Sequence, residues 1–321
     1  MEASLNISVR GFNDEAVARD VGNFTLEVIQ ALESKYQLNI SRLMTVIVTF
    51  DFSGSLQEVA TEFGHQSGPA FTDTRQATAV AQLMSKTDSD GGISEYALVL
   101  DVSFFYEIFD DGVFSENGAE HVIHRLHHEL IHVHELNKNR LDSRKLIDDF
   151  EHVFLMTGKR SWSEYLANFM SSPTATEKSI AEVAQTFETV ISEVPKEVED
   201  LVFQYQTERL SLDDMHANVT NRVKLIANAY GYFAGYAHGL SLEPEAHFPR
   251  LHDKLIMSKL AIPLMELGAA FEALKEKFDT KGFHDYSVFD LTFDAVNRMY
   301  MSFGLKIERS NQNMGIYIHV T

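Results

Sequence analysis

Apolar residues recur along this chain with two different rhythms, and the change from one to the other divides it. In residues 14–36, Val17, Val21, Phe24, Val28 and Leu32 stand three or four positions apart, which gathers them on one face of a helix. A short strand-like segment, 6–9, precedes them. LMTVIVTFDF, 43–52, reads as a buried strand. Helical spacing returns around 56–63 and is followed by a loop rich in Gly, Pro and Thr and a short predicted helix over 75–84. The loop TDSDGG, 87–92, leads into a second predicted strand, YALVLDVSFF, 96–105. Gly118 and Ala119 then open a long helix whose apolar positions are Val122, Leu126, Leu130 and Val133 and which Asn137 closes.

From residue 142 the pattern is almost wholly helical, with helices predicted at 143–156, 162–170, 176–191, 196–208, 215–236 and 256–278. The tail alternates instead: SFGLKIE and GIYIHV flank SNQNM, the pattern of a terminal β-hairpin. SSPTAT, 171–176, is the best candidate boundary. The expectation is an α+β fold in two parts. Residues 1–172 would combine a small mixed sheet with the long helix, and residues 173–321 would form a mainly helical domain that closes a cleft and ends in the hairpin.

Composition narrows the chemistry. The 321 residues hold no cysteine, so disulfides, thiolate metal sites and a cysteine nucleophile are excluded, and any metal must be held by His, Asp or Glu. Against 47 acidic residues stand 27 Lys and Arg, for a net charge of −20, and no basic block is present to track a phosphate backbone. Nucleic acid and anionic membranes are therefore not expected partners. No uninterrupted apolar run approaches the ~20 residues of a membrane span, and no secretory leader opens the chain, so the expected location is the cytoplasm. The pattern leaves oligomeric state open.

One stretch carries most of the chemistry. HRLHHELIHVHEL, 124–136, contains five histidines and two glutamates, and within it His128, Glu129 and His132 form H-E-x-x-H. At ~100° per residue the two histidines lie on one face of the predicted helix, a turn apart, where both imidazoles can reach one tetrahedral Zn²⁺. Glu129 projects along the same cleft but is badly placed as a third ligand, and is instead placed to take a proton from a metal-bound water. Zinc would lower the pKa of that water and polarise a carbonyl, and Glu129 would pass the proton to the leaving amine. The expected activity is thus peptide-bond hydrolysis, with a peptide or protein as substrate. The alternative is a zinc-binding regulatory or scaffold protein that uses the same fold without catalysis.

A third ligand is available downstream. KRSWSEYLANFM supplies Glu164, with Asn168 one helical turn later, where it could orient a ligand histidine. Glu151 is the rival, in IDDFEHVF. The strand at 96–105 precedes the motif, where a peptidase would place the sheet edge that holds extended substrate. His124 lies on the ligand face and is a candidate for substrate contact, while His127 and His134 read as flanking polar residues. Trp162 reads as core.

Taken together, His128, Glu129, His132, Glu164 and Ala167 resemble the gluzincin group of zinc metallopeptidases, in which HExxH on one helix is followed by a glutamate on the next and a small residue three positions beyond it. The resemblance covers roughly residues 96–172 and implies a zincin-like amino half. The metzincin variant is disfavoured, because its third histidine and its glycine would fall on Lys138 and Glu135. NAYGYFAGYAHGL, 228–240, resembles the Gly-Tyr-rich helix of oligopeptidase-type gluzincins. That resemblance alone makes Tyr232, Tyr236 and His238 candidates for binding the oxyanion, whereas glycines at 231, 235 and 239 would equally serve close helix packing.

Overall fold

In the computed structural model, residues 5–65, 80–89, 92–110, 113–115, 118–139, 141, 148–309 and 316–320 are described. The chain opens with strand β1 (Asn6–Arg10) and helix α1 (Glu15–Tyr36), which Asp14 caps by accepting from the backbone N–H of Ala16. Strand β2 (Leu43–Thr49) ends before the expected boundary. Asp51 is an N-cap, and Phe52 already belongs to α2 (Phe52–Glu62). The helix expected over 75–84 is corrected where it can be seen: Ala81–Thr87 is strand β3, while 75–79 lies outside the described residues. Its AQLMSK sequence is short enough that pairing along the neighbouring strand overrides helical spacing. Strand β4 (Ile93–Asp101) follows, then a 3-10 turn, Val102–Ile108, where a strand was expected to continue. Asp101 stops the strand by accepting from Ser103 N–H.

The described strands form a sheet in the order β1-β2-β4-β3, parallel except for the antiparallel β3–β4 pair. Consequently β4 lies inside the sheet and β3 at its edge, which corrects the expectation that the 96–105 segment supplies that edge. The inner strands β2 and β4 are buried along most of their length, which explains the apolar runs VIV and ALVL. On one face Ile47, Met84, Ala97 and Val99 pack with Phe52, Leu56 and Val59 of α2. Val46, Val48, Leu98 and Leu100 alternate to the other face and are likewise buried. A two-residue pair, β5 (Phe109–Asp110) and β6 (Val113–Phe114), precedes the histidine-rich helix α3 (Ala119–Lys138).

The remaining helices are divided differently from the pattern. Helix α4 (Asp149–Ser171) merges two predicted segments, and α5 (Glu177–Gln206) runs through Pro195, where a break was expected. Its packing against α6 (Leu212–Gly239) holds the turn that loses a hydrogen bond there. After the short α7 (Pro244–His247) come α8 (Pro249–Met257), which the pattern had marked only at its last two residues, α9 (Ala261–Lys281), which answers to the helix predicted at 256–278, and α10 (Asp290–Met301), which the pattern had not marked. The terminal hairpin is present as β7 (Leu305–Arg309) and β8 (Ile316–Val320).

Residues divide into two compact units, 1–137 with 174–176, and 138–173 with 177–321. Helix α4, grouped with the amino half in the sequence reading, belongs to the second. There it packs against α6 so closely that a Cβ on Gly231, Gly235 or Gly239 would come 2.4, 2.5 or 2.6 Å from Ser161 O, Tyr165 O or Ser172 Oγ. Trp162 is fully buried among Tyr165, Phe271, Phe278 and Phe283, as a core residue. Among the described residues no helix is long and apolar enough to cross a membrane.

Candidate metal centre

Helix α3 is fastened at both ends within the first unit. At its start Gly118 has φ of +80°, and a Cβ there would meet Glu107 O at 2.7 Å, so the entry turn requires glycine. Arg125 then grips Glu107 through both guanidinium nitrogens, at 3.1 and 2.5 Å, and donates to Phe104 O. At its end Arg42 donates to Asn137 Oδ1 at 2.6 Å, Leu136 O at 3.0 Å and Ile93 O at 2.9 Å, placing a cation against the negative end of the helix dipole. The side chain of Asn137 in turn donates to Asn39 O. Arg42 was invisible as a site residue in the sequence, because it lies far from the motif along the chain.

On this anchored helix the Nε2 atoms of His128 and His132 face each other at 3.2 Å, with the rings edge to face. Two ligands about 2.0 to 2.1 Å from a tetrahedral zinc stand roughly 3.3 to 3.4 Å apart, so the pair is spaced for one ion. Neutral imidazole nitrogens are zinc ligands, and a carboxylate oxygen completes a set suited to that borderline metal. In the second unit, Glu164 is half-buried on α4 and its Oε2 is screened from solvent. Among the described residues, the group of acidic and imidazole side chains that could hold a metal ion is His128, His132 and Glu164, each offering one ligand atom. Glu151 is committed elsewhere: it accepts from Arg309 Nη2 at 2.7 Å, and Arg309 Nε also reaches Asp148 at 2.6 Å. Glu129 is half-buried on α3, next to His128.

The other histidines of the stretch are not a solvated fringe. His124 is 3% exposed, so it is not open to substrate, and its Nδ1 meets Thr174 Oγ1 at 3.2 Å. His127, expected to flank the helix, is fully buried: its Nδ1 is 3.0 Å from the same hydroxyl, and its ring stacks on Tyr36 at 4.2 Å. Burial, aided by the nearby His128 and Lys35, pushes its pKa down to about 4, so the ring is neutral at pH 7. His134 Nδ1 accepts from Asn39 N–H at 2.8 Å, which fixes the turn after α1. His121 meets Thr176 Oγ1 at 3.1 Å. The sequence marked these two threonines only as part of the SSPTAT boundary, because only folding brings them to α3.

The carboxyl candidates are placed within the second unit. Tyr236 is 3% exposed, and burial raises its phenol well above the usual range. His238, two residues on and therefore about 200° round the helix, has a different neighbourhood. Its Nδ1 lies 3.1 Å from Tyr165 Oη and 3.6 Å from Glu272 Oε1. Burial, first among the causes, raises the Tyr165 phenol, so its hydroxyl keeps its proton and can pair with either tautomer of His238. Burial lowers the pKa of His238, against the opposing pull of Glu272. Asn168 departs from its expected role: its amide donates to Glu164 O at 3.0 Å, inside α4, and not to a ligand histidine. Comparison with known proteins finds no matching family model, no matching curated protein and no matching solved structure.

Proposed function

We propose that the chain is a zinc-dependent metallopeptidase in which His128, His132 and Glu164 hold the ion and Glu129 is the general base. The observation that carries this reading is the 3.2 Å approach of the two Nε2 atoms on one anchored helix, a separation that suits two zinc ligands. When bound, zinc would supply Lewis-acid polarisation of a carbonyl and a lowered pKa for water. The chain's own residues supply the rest. Glu129 accepts a proton from water as oxygen attacks the scissile carbonyl, and delivers it to the amine nitrogen as the C–N bond breaks. His128 and His132 must remain neutral to bind, and their shared face on α3 fixes where the carbonyl can approach. A parallel sheet with one antiparallel edge strand, followed by the motif-bearing helix, supports a zincin-like reading of the first unit. In that reading the extended peptide pairs with the outer edge of β3.

Glu129→Gln tests the proposal. Zinc stoichiometry should stay near one per chain by elemental analysis, while cleavage of a peptide library falls by two orders of magnitude or more, on the order of a lost general base. Wild-type protein that carries zinc and cleaves no peptide would leave the non-catalytic zinc-binding reading in its place. Protein that binds no zinc under any loading condition would sink both.

A further inference from the structure

We propose that the second unit carries a docking face for a second copy of this chain, formed by apolar side chains where α5, α8, α9 and α10 meet. Phe203, Met257, Ile262, Met265 and Met301 are each more than half exposed. Contacts within the unit gather them around one turn. Lys259, between α8 and α9, donates from Nζ to Glu199 Oε1 at 2.5 Å, and Phe203 stands one helical turn beyond Glu199 on α5. Met257 ends α8 two residues before that lysine. The backbone oxygen of Lys259 accepts from Ser302 Oγ at 3.3 Å, which brings Met301 beside the start of α9. There Ile262 and Met265 lie three positions apart, and the neighbouring Glu266 pairs with Arg298 of α10 at 2.8 Å.

Area and charge together select the occupant. A large apolar residue offers on the order of 200 Å², so these five expose roughly 600 Å². That reaches the upper end of what a monomer leaves open, and it approaches the ~800 Å² that each partner gives to a standard interface. Used twice across a twofold axis, the same patch supplies an interface of ordinary size. A chain of net −20 repels its own copies wherever carboxylates are in surplus. Beside these side chains, however, Lys259 offsets Glu199 and Arg298 offsets Glu266. A face with equal numbers of both signs complements itself, because each cation of one copy can turn to a carboxylate of the other. An anionic lipid surface would call instead for unspent cations. Three of the five residues are methionines, whose flexible thioethers let an identical surface interdigitate. This inference is independent of the zinc reading.

The test is sedimentation equilibrium of the full chain over a range of concentrations. Wild-type protein should dimerise at micromolar concentration, as an interface of this size permits. Met265→Glu sets like charges face to face across the axis and should weaken the dimer by about 100-fold or more, whereas Met265→Leu should leave it unchanged. Met257→Glu should act in the same way, and serves in its place if Met265→Glu does not fold. Tyr106→Glu changes an equally exposed residue of the first unit and should leave the dimer intact. A wild-type chain that stays monomeric throughout the micromolar range would overturn the proposal and leave the face to a partner of another kind. A dimer that survives both glutamate variants would sit on a different surface, and would overturn it equally.

Discussion

At the scale of single residues, the metal reading turns on which carboxylate is available. Glu164 and Glu151 were equivalent by type and both lay downstream of the motif. They differ in what surrounds them: Arg309 holds Glu151 at 2.7 Å, while Glu164 belongs with His128 and His132 in the set able to hold an ion. A carboxylate held by a guanidinium gains less from a metal. Glu164→Ala should therefore lower zinc affinity by two orders of magnitude or more, on the order of a lost ligand, whereas Glu151→Ala should change it less than threefold. Equal effects in calorimetric titrations would remove Glu164 from the site. The motif itself was legible, since the i,i+4 spacing of His128 and His132 is a property of any helix. The burial of His124 and His127 was not, because a histidine's polarity argues for solvent and only a partner such as Thr174 reverses that.

Elements tell a complementary story, in which glycines set how closely two helices approach. The α4–α6 pair meets along Gly231, Gly235 and Gly239, and a Cβ on Gly235 would lie 2.5 Å from Tyr165 O, 2.7 Å from Asn168 Cβ and 3.0 Å from Phe169 N. Two of those atoms are backbone and cannot swing aside. Gly235→Ala is expected to cost about 2 to 3 kcal/mol, typical of overpacking, as measured by urea denaturation. A loss under 0.5 kcal/mol would mean that the helices separate freely. The every-fourth-residue glycines were visible in sequence and support the packing reading directly. The merging of predicted helices into α4 and α5 was not visible, because local breakers such as Pro195 are outweighed by a neighbouring helix only once it is in place.

For the molecule as a whole, charge poses the main question, since a net −20 must be carried through folding. One buried carboxylate is answered in full: Glu188, with a side chain 10% exposed, binds Lys254 Nζ at 2.6 Å and Arg250 Nε at 2.7 Å. These cations, Lys254 first, hold its carboxyl below the ordinary value of 4.5. With the folded pKa below the unfolded one, its stabilising contribution is complete above about pH 4.5 and is lost as the pH falls through the folded value. Wild-type protein should thus lose unfolding free energy on acidification more steeply than Glu188→Gln. Parallel curves between pH 6 and pH 3 would show that the ion pairs are not coupled to folding.

By itself the sequence determined the amphipathic helices, the buried strands β2 and β4, the closing hairpin and the H-E-x-x-H face, because each depends on side-chain periodicity over a few turns or a few residues. Only the tertiary structure decided that β3 is a strand, that β4 lies inside the sheet and that Glu151 is spent on Arg309. It also decided that the surplus histidines hold two threonines. Each of these depends on partners distant in the chain, and burial, hydrogen bonding and charge pairing select among side chains only after the fold has brought them together.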